Sequence, residues 1–147
     1  MSSSREYILG GVMKRHLAIM DKPTIEAILQ GKKTIETRFS KNKIVPFGVV
    51  SSGDLVFIKP PGADVIGQFR VKKVFSFEGL TAEDVEKIFQ DYGEKISMGD
   101  QEADEKYFKE KKDSLFGTLI FISASERLIT SPITLKKRDM RGWVVLD

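Results

Sequence analysis

The sequence predicts an α+β chain: a mixed β-barrel with two or three peripheral helices. Three observations carry this reading. Segments with strand and helix signatures follow one another as β-α-β-β-β-α-α-β-β, whereas a doubly wound sheet alternates strand and helix throughout. Hydrophobic residues make up 41% and charged residues 31% of the 147, and ten Phe and one Trp supply enough bulky surface for one core. No linker and no internal repeat divides the chain, so residues 1–147 are read as one domain with an acidic helical insert over about 78–113.

Each element has its own signal. Tyr7–Leu9 could pair as an edge strand, and His16–Met20 reads as a buried strand. Ile25, Ile28 and Leu29 recur at helical spacing, so Thr24–Gln30 is a short amphipathic helix. Pro23 suits its start and Gly31 its end. Lys33–Phe39 is a strand, Lys41–Gly48 a basic loop, and Val49-Val50 the start of another extended piece. Turn residues Ser52-Gly53-Asp54 lead into the strand Leu55–Lys59, which Pro60-Pro61-Gly62 stops. Val65–Phe77 is the longest strand candidate. Thr81 and Asp84 form a capping box for a helix that carries Val85, Ile88, Phe89 and Tyr92 on one face and ends at Gly93. A second helix spans Gly99–Lys112, and Leu115–Ser123 is a strongly apolar strand. Ile129–Leu135 is extended, and Trp143–Leu146 closes the chain as a last strand.

Several chemistries are excluded. With no cysteine there is no disulfide, no thiol nucleophile and no thiolate zinc site. One histidine, His16, cannot make a cluster, and its place at the head of a buried strand marks it as structural. No metal and no cofactor is expected. The longest apolar stretch, Leu115–Ile122, is far short of the ~20 residues that span a bilayer. The start of the chain lacks the apolar run of a secretory signal, so a cytoplasmic protein without membrane contact is expected.

The net charge of +3 conceals a polarised distribution. Residues 1–75 carry 13 Lys/Arg against 6 Asp/Glu, a balance of +7; residues 76–117 carry 6 against 12, a balance of −6. The basic side is where an anion would dock.

The informative run is Gly31-Lys32-Lys33-Thr34-Ile35-Glu36-Thr37-Arg38, of the form G-x-K-x-x-E-x-R, at a helix-to-strand junction. In a strand, positions i and i+2 share a face, so Glu36 and Arg38 point the same way and can hold one another. Lys33 joins them only if it lies in the turn before the strand, after Gly31. Two cations and a carboxylate at a barrel mouth suit a phosphate, or a base edge read by the carboxylate. A barrel-closing Glu36–Arg38 salt bridge with a solvated Lys33 is the bland alternative. Lys41, Lys43, Arg70 and Lys72 could extend the basic track, as could Lys136, Lys137, Arg138 and Arg141. A base could stack on Trp143 or Tyr107, although both positions suit core packing better.

In this context the octet resembles the signature of the ASCH domain, a branch of the PUA-like β-barrel superfamily. Gly53-Asp54 running into Leu55-Val56-Phe57, and the late strand Leu119-Ile120-Phe121-Ile122, extend the resemblance over roughly Lys14 to Phe121. It implies a PUA-like barrel that binds RNA, a nucleotide or a nucleoside, with Lys33, Glu36 and Arg38 in a basic cleft. One ASCH-type group consists of amidohydrolases that use a lysine, a threonine three residues later and a glutamate on a later strand. Here Lys33 matches the lysine, but Glu36 and the region of Arg70 replace the other two, so that activity does not carry over. A ribonuclease using Lys33 and Glu36 as catalytic groups stays open. So does a protein-interaction module whose partner binds the acidic helical insert, as the occurrence of ASCH domains in coactivators implies.

Overall fold

Residues 12–134 and 142–147 are described by a computed structural model. The first buried run forms β1 (Arg15–Ile19), and Asp21 then caps α1 (Lys22–Leu29), its Oδ1 accepting from the Thr24 amide at 3.0 Å. Pro23 stands in the first turn of α1, where its missing N–H costs nothing. Gly31 follows with φ +77°, a left-handed conformation that a side chain would strain. The strands β2 (Ile35–Ser40), β3 (Leu55–Lys59) and β4 (Gly67–Glu78) come next. Then come α2 (Ala82–Ile96), α3 (Gln101–Lys111), β5 (Phe116–Arg127) and β6 (Trp143–Val145).

The element order is the one read from the sequence, but some boundaries move. The capping box at Thr81 and Asp84 is present, yet α2 continues through Gly93 to Ile96. An internal glycine costs a helix about 1 kcal/mol, and burying Ile96 in the core outweighs that. Val49 lies in a turn and Val50 just after it, neither in a strand, and residues 129–134 are bends and irregular chain. Leu135, the expected pairing of Tyr7–Leu9 and the basic turn at Lys136, Lys137, Arg138 and Arg141 fall outside the described residues.

The six strands form one mixed sheet in the order β2-β5-β4-β3-β1-β6, antiparallel except for the β1–β3 pair. It curls into a half-barrel. The expectation of a complete barrel is corrected: β2 and β6 stand at the two ends with no ladder between them among the described residues. A side chain joins the ends instead. Arg38 of β2 donates from Nη2 to the Ile19 carbonyl at 3.3 Å and from Nη1 to the Gly142 carbonyl at 3.2 Å.

Apolar clusters cover both faces of the sheet, a smaller third one gathering around Leu17, Phe57 and Val65. The concave face packs Ile25 and Ile28 of α1 against Val56, Ile58, Phe69, Val71, Ile120 and Trp143. The opposite face packs Val85, Ile88 and Ile96 of α2 against Ile35, Phe39, Leu119 and Phe121. Facing residues of paired strands share a side of the sheet. Glu36 opposite Ile120 and Arg38 opposite Thr118 therefore point to the concave face, while Thr37 opposite Leu119 points toward α2 and α3.

No described helix is long and apolar enough to cross a membrane.

Candidate functional site

The open edge of β2 borders a cavity of about 490 Å³. The end of β1 and the start of α1 contribute Ile19, Met20, Asp21 and Thr24 to its wall; β2 and the turn before it contribute Lys33 and Glu36–Phe39. The acidic helical insert supplies the remainder, from Ile96 to Lys111. The insert that looked like a separate partner surface is thus also one wall of the cavity.

Lys33 lies in the turn between Gly31 and β2, the only place from which it could join Glu36 and Arg38. It is 4% exposed, and its Nζ donates to the Ile96 carbonyl at 2.7 Å. That acceptor exists because α2 runs past Gly93, leaving its last carbonyls without intrahelical partners. Nζ also lies 3.6 Å from Glu36 Oε1, a charge contact too long for a hydrogen bond. Burial pushes the Lys33 pKa below its ordinary value, and the Glu36 carboxylate opposes this. Glu36 is 5% exposed, and its Oε2 accepts from Arg38 Nε at 2.9 Å. The Arg38 guanidinium lies over the Trp143 ring, 5.3 Å from its centroid.

Thr37 and Tyr107 complete the wall. In an antiparallel ladder, successive residues turn their peptide groups alternately toward the partner and away. The Thr34 and Ser40 carbonyls bond to β5, so the Thr37 peptide faces the open edge. Tyr107 of α3 donates to the Thr37 carbonyl at 3.1 Å, and its hydroxyl lies 2.7 Å from Thr37 Oγ1. Burial and the nearby Glu36 charge raise the Tyr107 pKa, so this hydroxyl keeps its proton.

A second buried polar group supports Arg38 from below. Trp143 Nε1 donates to His16 Nδ1 at 3.1 Å. An indole nitrogen only donates, so the His16 proton sits on Nε2, 2.8 Å from Asp54 Oδ2. Asp54 also accepts from the amides of Lys14 and Ser51, and His16, Asp54 and Trp143 are all at most 1% exposed. His16 is structural, as its place in the sequence suggests. Trp143 is a core residue whose ring carries Arg38, not an exposed stacking platform.

Lys33, Glu36 and Arg38 are therefore brought together. Lys41, Lys43, Arg70 and Lys72 do not line this cavity. Arg70 donates to the Gly53 carbonyl at 3.2 Å, and a β-bulge between Val71 and Lys73 breaks the alternation that would have aligned it with Lys72. Nor is the cavity basic: Lys33, Arg38, Lys106 and Lys111 are balanced by Asp21, Glu36, Asp104 and Glu110. Sequence reasoning missed Thr37, Met98, Asp104 and the hydroxyl of Tyr107 as site groups. The parity of β2 held a signal for Thr37 alone.

The buried lysine gives an alkaline signature. Because Lys33 holds its proton less tightly when folded, the unfolded chain binds more protons between the lowered value and 10.5. The contribution of Lys33 to stability is full above 10.5 and is lost as pH falls through the folded value. In thermal unfolding from pH 7 to 10.5, wild type should gain stability relative to Lys33→Met as pH rises. Parallel profiles would show that Lys33 titrates as it does in the unfolded chain.

No protein-family model matches the sequence, and no curated protein matches it. Solved structures do match. ASCH from Zymomonas mobilis is 18% identical with a TM-score of 0.56, over 78% of this chain and 70% of that one. A point mutant of the same protein reaches a TM-score of 0.63 over 91% and 89% of the two chains, at 14% identity. A protein from Enterococcus faecalis is 13% identical with a TM-score of 0.50, over 86% and 89%. With its curled mixed sheet, its α2–α3 insert and these structural neighbours, the chain has the fold of the ASCH domains.

Proposed function

We propose that the protein binds RNA or a nucleotide by taking one base into the cavity beside β2. The observation that carries this is Glu36. Glu36 lines the cavity; Arg38 holds one of its carboxylate oxygens, and Oε1 lies 3.6 Å from Lys33 Nζ, beyond hydrogen-bonding distance. An oriented acceptor next to the Thr37 N–H on the open edge of β2 offers an acceptor and a donor to a base edge, the Thr37 carbonyl being held by Tyr107. The balance of charge supports a neutral polar ring inside the cavity better than a phosphate. A volume near 490 Å³ falls within the roughly 300–1,000 Å³ of small-ligand sites. The ASCH fold supports the reading too, since PUA-like domains are generally readers of RNA or modified bases.

Glu36→Gln decides between base and phosphate. The substitution makes the cavity more positive, so a phosphate site would bind more tightly. A base-edge site would lose its anionic acceptor and bind about tenfold more weakly. The measurement is fluorescence anisotropy of labelled single-stranded RNA at two salt concentrations, with Lys72→Ala as an exposed control. Weaker binding by Glu36→Gln with an unchanged salt slope is expected. Tighter binding would overturn the base assignment. No binding by wild type would overturn the RNA reading and favour a protein partner on the acidic insert. Shortened RNA after incubation with wild type only would place a hydrolase, with Lys33 and Glu36, on the same cavity.

A further inference from the structure

A second cavity, of about 570 Å³, lies on the other side of Arg38. Arg38, Phe39 and Lys111 line both cavities, so the two abut with two cationic side chains at the boundary. The walls differ in kind. The first is polar and charge-balanced, whereas the second is formed largely by Ile44, Val45, Pro46 and Phe47 of the loop after β2, by Phe116 and by Trp143.

This second wall is aromatic and left open. Phe47 and Phe116 pack edge-to-face with centroids 5.3 Å apart, and the Lys43 ammonium lies 5.7 Å from the Phe47 centroid. Ile44 and Val45 line it and are 58% and 42% exposed. Apolar residues held in water around a concave aromatic surface suit a flat ring that would cover them. The boundary carries the complementary charge. Arg38 uses three of its five N–H groups on Glu36, Ile19 and Gly142 among the described residues, which leaves two for a ligand. Lys111 supplies a second cation.

We infer that the second cavity is the subsite for the neighbouring nucleoside of the bound strand, with the linking phosphate against Arg38 and Lys111. The inference rests on the reading of the first cavity as a base site. It makes the minimal ligand a dinucleoside monophosphate: one base read at Glu36, one phosphate at the boundary, and one base against Phe47 and Ile44 with little sequence preference. Such stacking is sequence-tolerant because every base has a π-face.

The test is calorimetric titration of wild type, Ile44→Ser and Lys111→Gln with the four ribonucleosides and with their homodinucleoside monophosphates. Ile44 is exposed and Lys111 partly so, and neither variant empties the core. Stacking of one base is worth roughly tenfold in affinity. The best dinucleoside monophosphate should therefore bind at least about tenfold more tightly than its nucleoside. Ile44→Ser should remove most of that gain and leave nucleoside binding within about twofold of wild type, and Lys111→Gln, whose side chain lines both cavities, should narrow the gap between dinucleoside and nucleoside. Nucleosides that bind as well as dinucleosides, or variants that leave the gain intact, would overturn the second subsite while the first stands. Binding of neither ligand class would overturn the first cavity's assignment and this one with it.

Discussion

Glu36→Ala is expected to lower the unfolding free energy by about 3–5 kcal/mol, the range for removing one partner of a buried ion pair. At this chain length that corresponds to roughly 10 °C in Tm. The reason is what the substitution leaves behind. Lys33 is 4% exposed, with the Ile96 carbonyl as its one short hydrogen bond and Glu36 as the nearest opposite charge. Removing the carboxylate leaves a buried ammonium without a counterion and frees Arg38 Nε, the bond that fixes the guanidinium between the ends of the sheet. Lys33→Met removes the orphaned charge, so Glu36→Ala/Lys33→Met should be more stable than Glu36→Ala alone. Chemical denaturation of the four proteins gives the coupling energy. A Glu36→Ala loss below about 1 kcal/mol, or strictly additive effects, would show that the pair is solvated and that Glu36 is not held as described.

Asp54→Ala is expected to cost roughly 2–4 kcal/mol, through hydrogen bonds and not charge pairing. The Asp54 carboxylate accepts from the amides of Lys14 and Ser51 and from His16 Nε2, all at the start of the sheet. The His16 donor is buried, and leaving it without a partner costs about 1–3 kcal/mol; the two amides are only part-buried, can turn to water and add less. The loss should reach the site, because His16 orients Trp143 and Trp143 carries Arg38. Trp143 is the only tryptophan, so its fluorescence reports the site directly. Asp54→Ala should unfold at lower denaturant with a red-shifted native emission, and Asp54→Asn should fall between it and wild type. A native spectrum identical to wild type would detach the Asp54–His16 network from Arg38.

The two variants probe different faces of one arrangement. Glu36, paired on its other oxygen with Lys33, holds Arg38 from β2; Trp143, anchored through His16 to Asp54, carries it from β6. The half-barrel is open between these strands, and one guanidinium spans the opening. Arg38 lines the cavity on each side of it. This connects the fold to the proposed function: incomplete closure leaves the peptide edge of β2 beside oriented carboxylate and guanidinium groups.

The order of elements, the capping box of α2, the glycine turn at Gly31 and the side-by-side placement of Glu36 and Arg38 were all legible in the residues, whereas the cap of α1 was not singled out. Those are local matters of apolar periodicity, cap chemistry and strand parity, and they act over a few residues. The sequence also held the condition under which Lys33 could join the pair. The remainder depended on contacts between distant segments. Whether the barrel closes depends on what faces β2 across the sheet, and the answer, Ile19 and Gly142, comes from distant segments. Whether α2 stops at Gly93 depends on burying Ile96, and that burial places the carbonyl bound by Lys33. The basic residues Lys41, Arg70 and Lys72 looked like one track because charge along a chain carries no direction in space. The bulge in β4 and the curl of the sheet send them elsewhere, while Asp104, Tyr107 and Glu110 reach the cavity from a helix some 70 residues beyond β2.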